Sequence, residues 1–158
     1  MSNPLAQQDR SGAPAADPAS RDPFSIPSEI KASIRVLVVD DERIIADSLA
    51  MILNRSGFAA RAAYNGNAAV IQALQWRPAA LISDVVLPGM SGIETATTIL
   101  QFVPECHILL FSGHGTLDRM QQVGDRSLEI LPKPVHPREV LGRLNAFRAG
   151  QRVSIPGT

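Results

Sequence analysis

From residue 33 to residue 148, short apolar runs alternate with stretches whose apolar positions fall three and four apart. The runs lie at 34–39, 58–63, 80–83, 107–111 and 128–131, and the first is rich in Val. Continuous apolar runs of this length predict strands covered on both faces. In the gaps, Ile45, Leu49, Ile52 and Leu53 keep the i, i+4, i+7, i+8 spacing of a helix and form the expected core stripe of the first one. Ala68, Ile71 and Leu74 give a shorter stripe, and Ile93, Ala96, Ile99 and Leu100 repeat the device. Gly57 is a natural stop just past the first helix, and Pro104 closes the third. A weaker helix at 116–123 and a final one at 137–147 complete five βα units. This alternation predicts an α/β domain, a doubly wound five-stranded parallel sheet with five helices on its two faces.

Length and composition add limits. A chain of 158 residues holds one ordinary domain with tails. Residues 1–32 carry Pro4, Pro14, Pro18, Pro23 and Pro27 among Ala, Ser and Asp, too little apolar surface to offset ordering entropy, so a disordered Pro/Ala-rich tail is expected. The domain is placed at 33–148, with a short C-terminal tail at 149–158 and no attached output domain. Fifteen basic residues balance fifteen acidic ones, which argues against direct nucleic acid binding and against an anionic membrane surface. The one cysteine, Cys106, lies in an apolar run and reads as core filler in a reducing compartment. No signal-peptide pattern and no run of about eighteen apolar residues is found, so a cytoplasmic location is expected.

Ligands of open parallel sheets bind beyond the carboxyl ends of the strands, where strand order reverses. Asp40-Asp41 follow the first strand, Asp84 the third, Ser112-Gly113 the fourth and Lys133-Pro134 the fifth, while the second offers only the turn Tyr64-Asn65-Gly66. With order 2-1-3-4-5, the first and third strands are neighbours at the reversal, and three carboxylates meet in one crevice. Two like charges about 4 Å apart repel by roughly 4 kcal/mol at an effective dielectric near 20. Either a carboxyl pKa rises or a cation is bound. Oxygen ligation suits a hard ion such as Mg²⁺, which commonly takes one or two carboxylates, waters and a substrate phosphate. Beside such an ion a carboxylate can attack a phosphoryl group, Lys133 can pair with a phosphoryl oxygen, and Ser112 can donate its hydroxyl to another. Lys133-Pro134 also invites a cis bond, since X-Pro has the smallest trans preference.

Each feature has a plainer reading. An Asp pair at a strand-to-helix junction is by itself commonly a helix cap. Asp84 alone suits a turn, Ser112-Gly113 a loop and Lys133-Pro134 a solvated bend. Four separate strand ends that each supply a group needed by one reaction make coincidence a poor account.

The segments Val36-Leu-Val-Val-Asp-Asp-Glu42, Ser83-Asp-Val-Val-Leu-Pro-Gly-Met-Ser-Gly92, Phe111-Ser-Gly113 and Leu131-Pro-Lys-Pro134 resemble, in order and spacing, the receiver domains of bacterial two-component response regulators. The resemblance covers roughly residues 34–148 and implies a flavodoxin-like order 2-1-3-4-5. It implies that Asp84 is the phosphoacceptor, that Asp41 and the Val86 carbonyl ligate Mg²⁺ directly (Mn²⁺ as an alternative ion), and that Asp40 acts through water. Ser112 and Lys133 would be the switch hydroxyl and the phosphate-pairing lysine. The implied donor is a sensor histidine kinase or phosphotransfer protein, and the output is a changed affinity for an unknown downstream protein. Kinase docking beside the crevice would involve Ile44 and Ser48 on the first helix, next to Met51 on its more exposed side.

One departure stands out. The position three before the lysine, usually aromatic in this family, is Ile130, so the aromatic toggle that follows hydroxyl movement is missing. That keeps open an alternative, a phosphorylation-independent pseudo-receiver that scaffolds other proteins. A metal-dependent phosphatase of related fold would carry a second Asp two residues past the nucleophile, where Val86 stands. His114 reads as a loop residue, His107 as a strand residue and His136 as part of a helix cap, and no zinc spacing joins them. Trp76 reads as an edge-of-core anchor. Glycines at 113, 115 and 124 flank the weak fourth helix, and mobility is expected there.

Overall fold

The computed structural model describes residues 33–113 and 128–153. Strands β1 (Arg35–Val39), β2 (Ala59–Ala63), β3 (Ala80–Asp84), β4 (His107–Ser112) and β5 (Leu128–Pro132) form one sheet in the order β2-β1-β3-β4-β5, every pairing parallel. This is the order expected from sequence. Four helices stand among the described residues: α1 (Arg43–Arg55), α2 (Gly66–Trp76), α3 (Gly92–Phe102) and α4 (Pro137–Val153). The helix expected at 116–123 lies outside the described residues, as do the proline-rich segment 1–32, His114, Gly115 and Gly124. Helix α4 runs to Val153, past the stop expected at Phe147. Among the described residues no helix is long and apolar enough to cross a membrane.

Strand β3 is buried along its whole length because apolar layers cover both faces of the sheet. Leu37, Leu81, Ile108 and Leu110 face α2 and α3, with Cys106 buried in the same layer. Val36, Val38, Ile82 and Leu109 face the other way, against α1 and α4. Helix α3 buries Ala96 and Ile99 with Ile93 and Leu100 half-buried, as its stripe predicts.

The other two stripes are turned from their expected orientation. Helix α1 buries Ala46, Leu49, Ala50 and Leu53, leaving Ile45 exposed and Ile52 half-buried. Helix α2 buries Gly66, Ala69 and Ala73, whereas Ile71 and Leu74, expected in the core, are exposed. Small side chains let a helix axis lie close to the sheet, and the bulkier residues next to them then fall on the outer flank. Trp76 is half-buried at the end of α2 with the Arg61 guanidinium 4.4 Å over its ring, consistent with an edge anchor. Gly57 ends α1 at φ +87°, a conformation that a side chain disfavours. His136 caps α4, its Nδ1 accepting from the Arg138 N–H at 3.2 Å.

The outer edge of the sheet at β2 is closed by side chains. Asn54 Oδ1 accepts from the Ala60 N–H at 2.8 Å and its Nδ2 donates to the Ala60 carbonyl at 3.1 Å. Gln72 Nε2 donates to the Ala62 carbonyl at 3.2 Å.

Candidate functional site

The carboxyl ends of β1, β3, β4 and β5 supply the groups expected there. Asp40 directly follows β1 and Asp84 ends β3, its neighbour in the sheet. Asp84 is 9% exposed and Asp40 8%. The Asp84 carboxylate is held at both oxygens: Oδ1 accepts from the Val86 N–H at 3.0 Å, and Lys133 Nζ donates to Oδ2. Lys133 reaches it from the loop after β5, where the Lys133-Pro134 peptide is cis, as expected, and the Lys133 N–H donates to the Ser112 carbonyl at 2.8 Å. Ser112 ends β4 and is buried, one residue past Phe111, the register partner of Asp84. Its hydroxyl donates to the Gly113 carbonyl at 3.2 Å.

The helix-cap reading of the Asp pair does not hold. The N-cap of α1 is Glu42, whose side chain makes no capping bond. Asp40 Oδ1 instead accepts from the Glu42 N–H at 2.9 Å, which leaves the pair at the mouth of the crevice. Burial pushes the Asp40 carboxyl above the ordinary Asp range, and the nearby Asp41 and Asp84 charges add to this; the Glu42 N–H and Lys133 act in the opposite sense.

The expected three-carboxylate cluster is only partly assembled. Asp41 is exposed where the chain turns into α1, and Lys133, not a third carboxylate, contacts Asp84. Among the described residues no group of three His, Cys, Asp or Glu side chains is gathered as a ready metal cage. The donor set still fits a hard ion that keeps several waters: the carboxylate oxygens of Asp40 and Asp84 are there, and Asp40, held above its usual value chiefly by burial and further by the Asp41 and Asp84 charges, would gain from a cation.

Two residues at this site, and one backbone group of a third, were not foreseen from the sequence. Ser83, 1% exposed, donates its hydroxyl to the Asp84 carbonyl at 2.9 Å. Gly92, the first residue of α3, has its N–H bonded to the Val85 carbonyl at 2.9 Å, and a Cβ there would collide with the Asp84 carbonyl oxygen. The Val86 N–H, a group the sequence did not single out, donates to Asp84 Oδ1. A serine within an apolar run directly before Asp84 was the available signal.

The family pattern described as the response regulator receiver domain matches residues 36–145. The chain belongs to that family. As a receiver, it is 30% identical over 116 residues to the response regulator MprA of Mycobacterium bovis BCG, an alignment covering 73% of this chain and 50% of MprA. The chain thus spans about half the length of the curated relatives it matches. A two-component transcriptional regulator from Clostridium phytofermentans is similar in structure, with TM-score 0.66 and 30% identity over 72% of this chain and 92% of that one. A CheY-like receiver domain protein from Methanospirillum hungatei superposes with TM-score 0.70, covering 77% of this chain and 98% of its own; at 23% identity it speaks to the fold alone.

Proposed function

We propose that this receiver takes a phosphoryl group onto Asp84 from a phosphohistidine of a sensor histidine kinase or phosphotransfer protein, and that the modified site alters binding to a downstream protein. The observation that carries the reading is the Asp84 carboxylate, sequestered at the sheet's point of strand reversal with one oxygen on a backbone N–H and the other on Lys133. A carboxylate fixed at both oxygens has little orientational freedom left to lose when it meets an electrophilic phosphorus. Attack forms the Asp84 O–P bond as the donor's N–P bond breaks, and the electron pair leaves with the imidazole, which picks up a proton.

Mg²⁺, or Mn²⁺ in its place, would be held by Asp40, Asp41, Asp84 and the Val86 carbonyl, and when bound it supplies positive charge to the phosphoryl oxygens. Lys133 is already at Asp84 and is at hand to pair with a phosphoryl oxygen once the carboxylate has become an acyl phosphate. The Ser112 hydroxyl, bonded among the described residues to the adjacent Gly113 carbonyl, would turn toward the new group. Ile130 is half-buried against the layer facing α2 and α3, so a switch here works without an aromatic rotamer beside Lys133.

Intact-mass measurement after incubation with Mg²⁺ and acetyl phosphate tests the proposal. One added phosphoryl group on the wild type, lost with chelator and lost in Asp84→Asn, supports it. No gain under saturating donor, or equal labelling of a folded Asp84→Asn variant, overturns it and leaves the scaffold reading.

A further inference from the structure

The acceptor carboxylate is not the only part of Asp84 that the fold restrains. Its backbone carbonyl accepts the Ser83 hydroxyl at 2.9 Å, inside a site where Ser83 is almost completely buried. The same carbonyl oxygen lies against Cα of Gly92, so closely that any side chain at that position would overlap backbone rather than a movable group. The Gly92 N–H bonds to the Val85 carbonyl, so the loop leaving Asp84 is closed on itself at its base. Its far end is fixed as well: Ser91 accepts from the Glu94 N–H at 3.1 Å while Glu94 Oε2 accepts from the Ser91 N–H at 2.9 Å, a capping box that starts α3.

We propose that Ser83 and Gly92 are positioning residues for phosphoryl transfer: the Ser83 hydroxyl and the bare Cα of Gly92 fix the Asp84 carbonyl and so the Asp84–Val85 peptide plane, and the Gly92 N–H fixes the Val85 carbonyl, whose peptide plane carries the Val86 N–H that meets the carboxylate. The inference rests on Asp84 being the acceptor. Neither residue touches the phosphoryl group. The Ser83 hydroxyl holds the carbonyl from one side, and the bare Cα of Gly92 lets the α3 backbone close against it from the other. Peptide planes are rigid, so a rotated Asp84 carbonyl turns the Val85 N–H away from the Phe111 carbonyl, and the Val85 carbonyl that shifts with it turns the Val86 N–H. The Val86 N–H···Oδ1 bond, which sets the side-chain rotamer, is then stretched. Loss of that alignment slows the chemical step without weakening donor binding, since small errors in near-attack geometry cost rate steeply.

The test compares full-chain wild type with Ser83→Ala, Ser83→Cys and Ser83→Thr. Labelling rates are followed by intact mass across acetyl phosphate concentrations at fixed Mg²⁺, with thermal melts on the same samples. Ser83→Ala is expected to lower the saturating rate on the order of tenfold while the half-saturating donor concentration stays within about twofold. Ser83→Thr, which keeps the hydroxyl, is expected to recover most of the rate, and Ser83→Cys, which keeps the size, is not. A Gly92→Ala variant is expected to be slower still if it folds. Wild-type rates for Ser83→Ala overturn the proposal, as does a loss matched by the unfolded fraction, or recovery by Cys as complete as by Thr. Failure of the wild type itself to label refutes Asp84 as acceptor instead, which separates the two claims.

Discussion

Replacing Asn54 with Ala would remove the side-chain amide that occupies the outer edge of β2. Asn54 takes both polar groups of Ala60, accepting at 2.8 Å and donating at 3.1 Å, and so stands in for the peptide of a neighbouring strand. Both bonds lie at an exposed position, where each contributes about 0.5–1 kcal/mol because water competes for the same groups. Two such bonds amount to about 1–2 kcal/mol. Against this, Ala near the end of α1 is a better helix former than Asn by up to about 0.7 kcal/mol. The net expectation is a loss of about 1 kcal/mol, or a Tm lowered by roughly 4 °C for a domain of this size. A second effect follows from the same geometry. The strand reads Ala59-Ala-Arg-Ala-Ala63, short side chains with one charge, and once uncapped it offers a flat row of backbone groups to another copy. Urea unfolding with an unchanged m-value measures the first effect, and sedimentation velocity over a range of protein concentrations measures the second. Asn54→Asp separates the two bonds, since a carboxylate can accept from the Ala60 N–H but cannot donate to its carbonyl. Wild-type stability and a strictly monomeric boundary for Asn54→Ala would show that the edge needs no such cap.

Three further expectations are open to measurement. Burial pushes the Cys106 thiol up to about 12, so the native protein should resist thiol reagents at pH 8 and react fully in urea; the folded state should also lose stability as pH climbs from about 9, where the unfolded thiol ionises, toward 12. Rapid native labelling would contradict this. Ile44, 81% exposed at the mouth of an apolar groove of about 270 Å³ between α1 and α4, should tolerate change to Asp with normal acetyl phosphate labelling but slower transfer from a cognate phosphohistidine partner; equal loss with both donors would place the defect in the site itself. Ile130→Tyr should leave labelling intact and change downstream binding, with overpacking costing about 1–3 kcal/mol in the half-buried site. Unchanged binding would mean that the aromatic residue usual at this position has no part to play in this receiver.

The linear chain carries the strand runs, their parallel pairing and the residues at each strand end, because an apolar run covered on both faces and a polar residue just beyond it are local features. Asp84 and Lys133 were legible for that reason, although forty-nine positions separate them. The chain does not carry which of two adjacent aspartates turns inward. Asp40 and Asp41 are chemically identical, and only the direction of the turn into α1 leaves one buried and the other exposed. Nor does it carry helix orientation, where neighbouring Ala and Ile stripes both satisfy the helical period. How close α1 and α2 can approach the sheet decides between them, in favour of Ala46, Ala50, Ala69 and Ala73 over Ile45, Ile71 and Leu74. Ser83 and Gly92 mattered only once β3 and the start of α3 met around a single carbonyl oxygen. Periodicity thus assigns elements and their succession along the chain, while roles that depend on the approach of two backbones arise from packing that no single segment encodes.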